Sequence, residues 1–560
     1  MSDGPRLSVG HFFPATAARK PEGWRRHADA GLRRLGPTWR AAPARRGVQV
    51  LALGLYLGLF FYVAWPYADV FTDRVVAAKE WAPLETFLWI DPLVGLSTAI
   101  AARAWNVAVL GAGAVLLLSV LFPRAFCGYL CPLGTLIDGF DWLVGRRVTR
   151  LRVKRVGGWA YLRFYLLAAV LIGSVLGVLL AGYLAAIPVL TRGLLFTAGR
   201  VETGLLKNWG QVGAADAAVY LSVVLWAVIF LLGFLAPRFW CRYVCPSGAL
   251  ISLFSFLRIT GRQVGEACTG CGRCAKACPF DAVGEHFAAR RLECAFCQTC
   301  GGVCPAHAIG FGPRGGGRRE QSFLPTRGPV SRRAFLLSAV GGTAAAVATR
   351  PSLLGGRAAP PPLLRPPGSV EETAFLRLCI RCGECFKVCP GPVLRPAGFE
   401  NGLDALWTPV AVPSHAGCHQ DCNFCTQVCP TGAIVPLDIA EKRRTRMGLA
   451  VIDRKKCLPH RGERDCRLCF EECRTAGYHA IEMRQIDLNV GPLPDGVLSQ
   501  DEIDQMAHIE APFIVTDRCT GCGLCEYRCA SALVKQRRML DSSAVVITPQ
   551  NADRPKAWYY

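Results

Sequence analysis

Residues 268–279 read Cys-Thr-Gly-Cys-Gly-Arg-Cys-Ala-Lys-Ala-Cys-Pro, and residues 294–305 read Cys-Ala-Phe-Cys-Gln-Thr-Cys-Gly-Gly-Val-Cys-Pro. Fifteen residues separate Cys278 from Cys294. Each half is a C-x2-C-x2-C-x3-C-P run, a spacing that binds [4Fe–4S] clusters. Three closely spaced thiolates on one loop reach three irons of one cubane. The fourth Cys lies too far along the chain to join them and ligates the neighbouring cluster. The spacing therefore predicts one cluster on Cys268, Cys271, Cys274 and Cys304, and a second on Cys294, Cys297, Cys300 and Cys278.

The other cysteines extend the pattern. All 28 fall into groups: six sets of four and two C-x3-C-P pairs. A disulfide scaffold does not repeat x2, x2, x3 spacing, so the pattern argues for clusters. The chain has 560 residues, enough for several domains, with a net charge of +23. That charge does not argue for nucleic acid: Arg and Lys cluster beside apolar segments, the positive-inside pattern, and no nucleic-acid module is recognisable. The nine His and five Met lie outside the apolar segments, and no C-x-x-C-H occurs. The sequence thus predicts no haem, since axial ligands and a covalent attachment site are both missing.

Residues 1–47 carry ten Arg and Lys and read as a basic cytoplasmic arm. Residues 48–260 read as a four-helix membrane domain, with spans expected at 48–68, 105–122, 159–182 and 217–236. Arg163, one turn into the third span, is expected to snorkel to the cytoplasmic edge. The stretch Phe-Pro-Arg-Ala-Phe-Cys-Gly-Tyr-Leu-Cys-Pro (122–132) recurs as Ala-Pro-Arg-Phe-Trp-Cys-Arg-Tyr-Val-Cys-Pro (236–246). The four spans are therefore two copies of a helix pair, each closing on a C-x3-C-P motif. Cys127 with Cys131, and Cys241 with Cys245, are i, i+4 pairs that share a helix face. Packed about a pseudo-twofold axis, the four sulfurs could hold a further cluster or a transient metal ion, or act as a dithiol relay.

A two-cluster domain at 261–312 is expected on the cytoplasmic side, followed by a linker at 313–330. Residues 331–350 begin Ser-Arg-Arg-Ala-Phe-Leu-Leu, a twin-arginine-like export signal that either stays as a fifth span or is cut after Ala346-Val347-Ala348. Six Pro in 351–368 make the next linker, 351–370, a stiff spacer. Residues 371–560 then hold four more sets: Cys379, Cys382, Cys385 and Cys389; Cys418, Cys422, Cys425 and Cys429; Cys457, Cys466, Cys469 and Cys473; Cys519, Cys522, Cys525 and Cys529. Six [4Fe–4S] clusters on 24 Cys are expected in all.

These motifs resemble two known families joined in one chain. Residues 1–310, with duplicated C-x3-C-P and the two-cluster run, are similar to the NapH/MauN-type membrane proteins, relatives of NosR and the copper-reducing CcoG type. Residues 331–560 resemble the NapG/MauM-type exported four-cluster ferredoxins. The resemblance implies an α-helical membrane domain joined to α+β ferredoxin-like domains with two and four clusters. It also implies a multi-pass protein of the bacterial inner membrane, with 371–560 periplasmic. Nested sharing of the last Cys, first set with fourth and second with third, is how related four-cluster subunits work; sequential pairing is the alternative.

The implied activity is that of a quinol dehydrogenase-type subunit. It would take electrons from the membrane quinone pool and pass them to a periplasmic reductase or cytochrome. Asp91 and Glu85 are the carboxylates placed to accept protons from quinol, with ordinary loop solvation as the plainer account of both. The rival function is a maturation or reactivation factor that supplies electrons for metalloenzyme assembly or copper reduction. One difficulty stands at this level. The two cluster domains are expected on opposite faces of about 30 Å of hydrocarbon, and thiols at one edge do not span it.

Overall fold

A computed structural model describes residues 41–63, 85–105, 107–145, 161–206, 209, 212–213, 215–284, 287, 289–313, 332–350, 363–487, 508–550 and 552–555. The basic arm up to residue 40, most of both linkers and residues 64–68 of the first expected span lie outside them.

The N-terminal half is helical. Its main helices are α1 (Pro43–Tyr62), α2 (Pro92–Ala102), α3 (Val107–Leu121), α4 (Pro132–Phe140), α5 (Leu162–Val175), α6 (Ala186–Leu194), α7 (Ala217–Leu231) and α8 (Pro246–Phe254). Several start with Pro in the first turn, where the missing N–H is not needed. Among the described residues two helices are long and apolar enough to cross a membrane: Pro43–Tyr62 and Ala217–Phe234. The expected spans at 105–122 and 159–182 contain the shorter helices α3 and α5, of 15 and 14 residues. These fall below the roughly 20 residues of a full crossing.

The repeat is visible in three dimensions. Phe126–Leu130 and Trp240–Val244 each form one π-helical turn, which ends at Cys131 or Cys245. Those two Cys then cap α4 and α8. Arg124 and Arg238, at matching positions, both adopt positive φ (51° and 52°) and are fully buried.

The segment expected as an export signal forms α9 (Arg332–Thr349) and lies along α5. Its buried residues are Ser338, Gly342 and Ala346, one every fourth position. A Cβ at Gly342 would sit 2.7 Å from the Ala169 Cα, so only glycine permits this approach. Small residues at that interval bring two helix backbones together.

The cluster-motif regions are α+β. Strand β1 (Thr260–Val264) pairs antiparallel with β2 (Ile309–Pro313), enclosing both Cys runs of residues 268–304. In the C-terminal region β3 (Leu394–Pro396) pairs with β4 (Pro409–Ala411). A bridge joins Ser369 to Ile434 and encloses the sets beginning at Cys379 and Cys418. Strand β5 (Leu449–Ile452) pairs with β8 (Val545–Thr548), and β6 (Ile481–Asp487) with β7 (His508–Ile514), around the last two sets. The chain thus makes three units of one plan, each closed by pairing the backbone before its first Cys run with the backbone after its second. Two-stranded ribbons are marginal alone in water.

Candidate iron–sulfur sites and their connection

Most Cys runs wrap a loop whose backbone turns left-handed. In Cys268-Thr-Gly-Cys-Gly-Arg-Cys274, Gly270 and Gly272 sit at φ +69° and +70°, and Gly521 and Gly523 do the same in the last set. Glycine takes such angles without steric cost. The loops point their thiols inward, and none of the 28 Cys is in a disulfide.

Five cavities are each lined by four of these thiols. In the first unit one cavity is lined by Cys268, Cys271, Cys274 and Cys304, and another by Cys278, Cys294, Cys297 and Cys300. In the second, Cys379, Cys382, Cys385 and Cys429 line one cavity and Cys389, Cys418, Cys422 and Cys425 the next. In the third, Cys473 joins Cys519, Cys522 and Cys525. Cys457 and Cys529 share a buried cluster with Cys466, and Cys469 is within electrostatic reach of all three.

The geometry therefore follows sequential sharing, first set with second and third with fourth, rather than the nested order. The reason is the strand pairing: each unit closes on itself, so a fourth Cys is delivered to the other loop of its own unit. Neither His415 nor His419 displaces a thiol, although His419 lines the cavity of Cys418.

The donor chemistry fits iron–sulfur clusters. The lining is four thiols among apolar side chains, and soft thiolates select iron–sulfur centres, zinc or Cu(I). Among the described residues no three His, Cys, Asp or Glu side chains converge on a single-ion site, so the thiols surround spaces rather than points. Burial pushes the Cys422 and Cys522 thiols up to about 12, so they are protonated when nothing is bound. Backbone N–H groups donate to sulfur from Ala282 to Cys278 (3.2 Å), Ile434 to Cys429 (3.4 Å) and Ala480 to Cys473 (3.3 Å). Such bonds raise cluster potentials. The Lys442 ammonium is buried between units. Burial opposes its charge, but the anionic forms of Cys418, Tyr478, Cys422 and Cys522 outweigh that and raise its pKa.

The units connect through the helical domain. Cys131, Cys241 and Cys245 are buried in one core cluster, with Cys127 packed against it. Ile380 and Cys382 of the second unit belong to that same cluster. Tyr56 is within electrostatic reach of both Cys382 and Cys131. On the other side, Tyr129 donates to Phe296 O (2.7 Å), and Gly128 faces Ala295 O. The C-x3-C-P thiols thus share a buried core with Cys382 of the second unit, while Gly128 and Tyr129 of the first motif touch the first unit. The third unit follows on: Cys418 N donates to Cys522 O at 2.7 Å.

Two families match short stretches of the chain. A 4Fe-4S binding domain matches residues 106–150, and an LdpA Fe-S cluster-binding domain matches residues 237–289. The methylamine utilization ferredoxin-type protein MauM of Methylobacillus flagellatus is 31% identical over 222 residues, 38% of this chain and 85% of that protein. The chain belongs to the MauM/NapG family of ferredoxin-type proteins. The ferredoxin-type protein NapG of Escherichia coli is 36% identical over 171 residues, 30% of this chain and 65% of its own length. The putative electron transport protein YccM of Escherichia coli is 28% identical over 284 residues, 48% of this chain and 73% of its own. No solved structure matches. This ferredoxin-type protein is an iron–sulfur protein of electron transfer.

Its carboxylates sit deeper than loop solvation implies. Asp91 is fully buried at the start of α2 and accepts from Leu93 N (3.1 Å), Ile187 N (3.3 Å) and Ser247 Oγ (3.4 Å). Burial pushes its pKa upward, and these bonds restrain the rise. Glu85 is buried too, which pushes its carboxyl up to about 7. Arg163 does not snorkel: it is fully buried and pairs with Glu293 of the first unit at 2.6 Å. The sequence missed Trp407, Arg192 and Arg381, which dock the second unit on the helices. Trp407 Nε1 donates to Ala218 O (2.8 Å), and the Arg192 guanidinium lies 3.9 Å over its ring. Arg381 Nη1 donates to Leu179 O at 3.1 Å. No local pattern marks these residues.

Proposed function

We propose that this chain is a membrane-bound quinol dehydrogenase-type electron-transfer subunit that oxidises quinol and passes electrons to a periplasmic reductase or cytochrome. Its 24 cluster cysteines hold six [4Fe–4S] clusters: Cys268, Cys271, Cys274 and Cys304; Cys278, Cys294, Cys297 and Cys300; Cys379, Cys382, Cys385 and Cys429; Cys389, Cys418, Cys422 and Cys425; Cys473, Cys519, Cys522 and Cys525; Cys457, Cys466, Cys469 and Cys529. When bound, each cluster takes and releases one electron with little rearrangement. Residues 48–260 lie in the inner membrane, 261–312 face the cytoplasm and 371–560 the periplasm. The helix Arg332–Thr349 stays in place against α5, supported by its row of small residues on Ala169.

The observation that carries this reading is the shared core of Cys382 with Cys131, Cys241 and Cys245. It brings the second unit onto the helical domain, where a quinol in the bilayer would be oxidised. Asp91 and Glu85 supply buried carboxylates whose raised pKa suits them to take a proton near neutral pH. The test is reduction of the anaerobically purified full-length protein by a quinol analogue, read by EPR. Reduced-cluster signals are expected. If dithionite reduces the clusters and quinol does not, the dehydrogenase reading is lost and a maturation role takes its place. Protease added outside sealed spheroplasts should reach residues 371–560; protection would reverse the assigned orientation.

A further inference from the structure

The C-x3-C-P cysteines are joined by a symmetric exchange across the helical repeat. Arg124 of the first copy donates through Nη2 to Cys241 O of the second (3.2 Å), and Arg238 of the second donates through Nη1 to Cys127 O of the first (3.0 Å). Gly134 and Gly248, also at matching positions, lie against those guanidiniums: a Cβ there would be in ordinary contact, 3.6 Å from Arg238 Nη1 and 3.4 Å from Arg124 Nη2. Cys131, Cys241 and Cys245 share one buried core with Cys127 packed against it, and Cys131 is within electrostatic reach of the other three.

The surroundings are built for an anion. Arg124 and Arg163 share Glu293, while Arg45, Arg46 and Arg238 share Asp138. Five buried guanidiniums thus meet two carboxylates. Counting Asp91 and Asp141, which are buried against the same elements, cations still exceed anions by five to four. Buried charge persists only when it is compensated. Helices α4 and α8, nine residues each, begin at Cys131 and Cys245 and turn their positive ends toward the thiols. Gly248 N already donates to Cys245 Sγ at 3.4 Å. Arg124 Nε and Trp240 Nε1 are buried donors without an acceptor among the described residues.

We infer that Cys127, Cys131, Cys241 and Cys245 hold a seventh iron–sulfur centre, an all-thiolate [2Fe–2S] or [4Fe–4S] cluster, that joins the first unit to the second. This deepens the proposed function and rests on it. An oxidised all-thiolate cluster of either kind is anionic, which answers the excess of buried guanidinium. Its place also answers to both neighbours: Gly128, inside the first motif, faces Ala295 beside Cys294, and Cys382 shares the core of the other three thiols. Each passage reduces one ferric iron to ferrous by an electron from a reduced cluster of one flanking unit. Reoxidation delivers that electron to the other, and no bond or proton is exchanged.

The test uses the full chain, purified anaerobically, with Cys131→Ser and Cys245→Ser measured for iron, acid-labile sulfide and zinc. Six cubanes account for about 24 irons, so the wild type should carry about 26 or about 28. Each variant should lose about two or about four, matching one [2Fe–2S] or one [4Fe–4S] cluster, and keep the rest. Retention of the other irons also shows that the variant has folded. Wild-type protein with about 24 irons, or variants with unchanged iron, overturns the inference and leaves the six-cluster reading intact; so does zinc at these thiols. Protein without iron overturns both.

Discussion

The two cluster regions meet the helical domain in different ways. The first unit docks by ion pairs and single polar contacts: Arg163 with Glu293, Arg242 with Asp281 (3.0 Å), and Tyr129 with Phe296. Its outermost set is open, with Cys268 and Cys271 exposed. The second unit docks by burial. Trp407, Arg192 and Arg381 exchange carbonyl hydrogen bonds across a buried contact, Lys387 pairs with Glu202 at 2.9 Å, and Cys379 and Cys382 are buried. The difference is one of roles. A buried, directional joint keeps two redox sites at fixed separation, whereas an open set is accessible to a separate partner. On this reading the chain offers two terminals, Cys268 with Cys271 at one end and the set of Cys457 and Cys466 at the other.

Breaking the buried joint should have the largest effect. Lys387 lies 3.1 Å from the Phe60 ring centre as well as on Glu202. Lys387→Met removes the ammonium from the buried Glu202 carboxylate, which costs about 3–5 kcal/mol. Thermal unfolding should shift down sharply, and quinol should no longer reduce the outer sets. Adding Glu202→Leu should recover most of the stability; a double variant as weak as the single one would argue against the pair. Glu85 sharpens the joint's chemistry. Its folded pKa, about 7 against an ordinary 4.5, means that the fold favours the neutral acid. Stability therefore falls as pH rises from about 4.5 to about 7, by about 3 kcal/mol. Glu85→Gln should flatten that slope in a pH series of melting temperatures and remove an apparent pKa near 7 from quinol oxidation. Equal slopes in both proteins would exclude Glu85 as the titrating group.

Smaller effects test the terminals. Lys442 places a cation between the Cys418 and Cys522 sets, and Lys442→Met should lower their reduction potentials by about 60 mV, equivalent to about 1.4 kcal/mol for one electron. Redox titration followed by EPR reads this directly, and an unchanged potential would show that the charge is screened. The smallest effect belongs to the exposed side. Asp281 is half exposed, so Asp281→Ala should cost no more than about 1 kcal/mol and lose even that at high salt. A loss comparable to that of Lys387→Met would erase the contrast between the two joints.

Much of the site was legible because a cluster loop is a local object. Three thiols at x2 spacing, with glycines at left-handed positions, need only one turn of chain. The repeat at 122–140 and 236–254 was legible for the same reason, as two copies of one short motif. The helical spans were read too generously at 105–122 and 159–182. Apolar composition continues through turns such as Leu176–Leu180, where the helix has already ended. Asp91 and Arg163 were misjudged because their burial depends on distant elements, α6 and the Glu293 loop, rather than on neighbours in sequence.

The amino-acid sequence by itself determined which thiols act together on each loop, how many sets there are and that the helical half is duplicated. Only the tertiary structure decided which loop receives each fourth thiol, because that follows from strands pairing across tens of residues. It alone also brought Cys127, Cys131, Cys241 and Cys245 between two cluster units, since their meeting depends on how two helix pairs pack and on what docks against them.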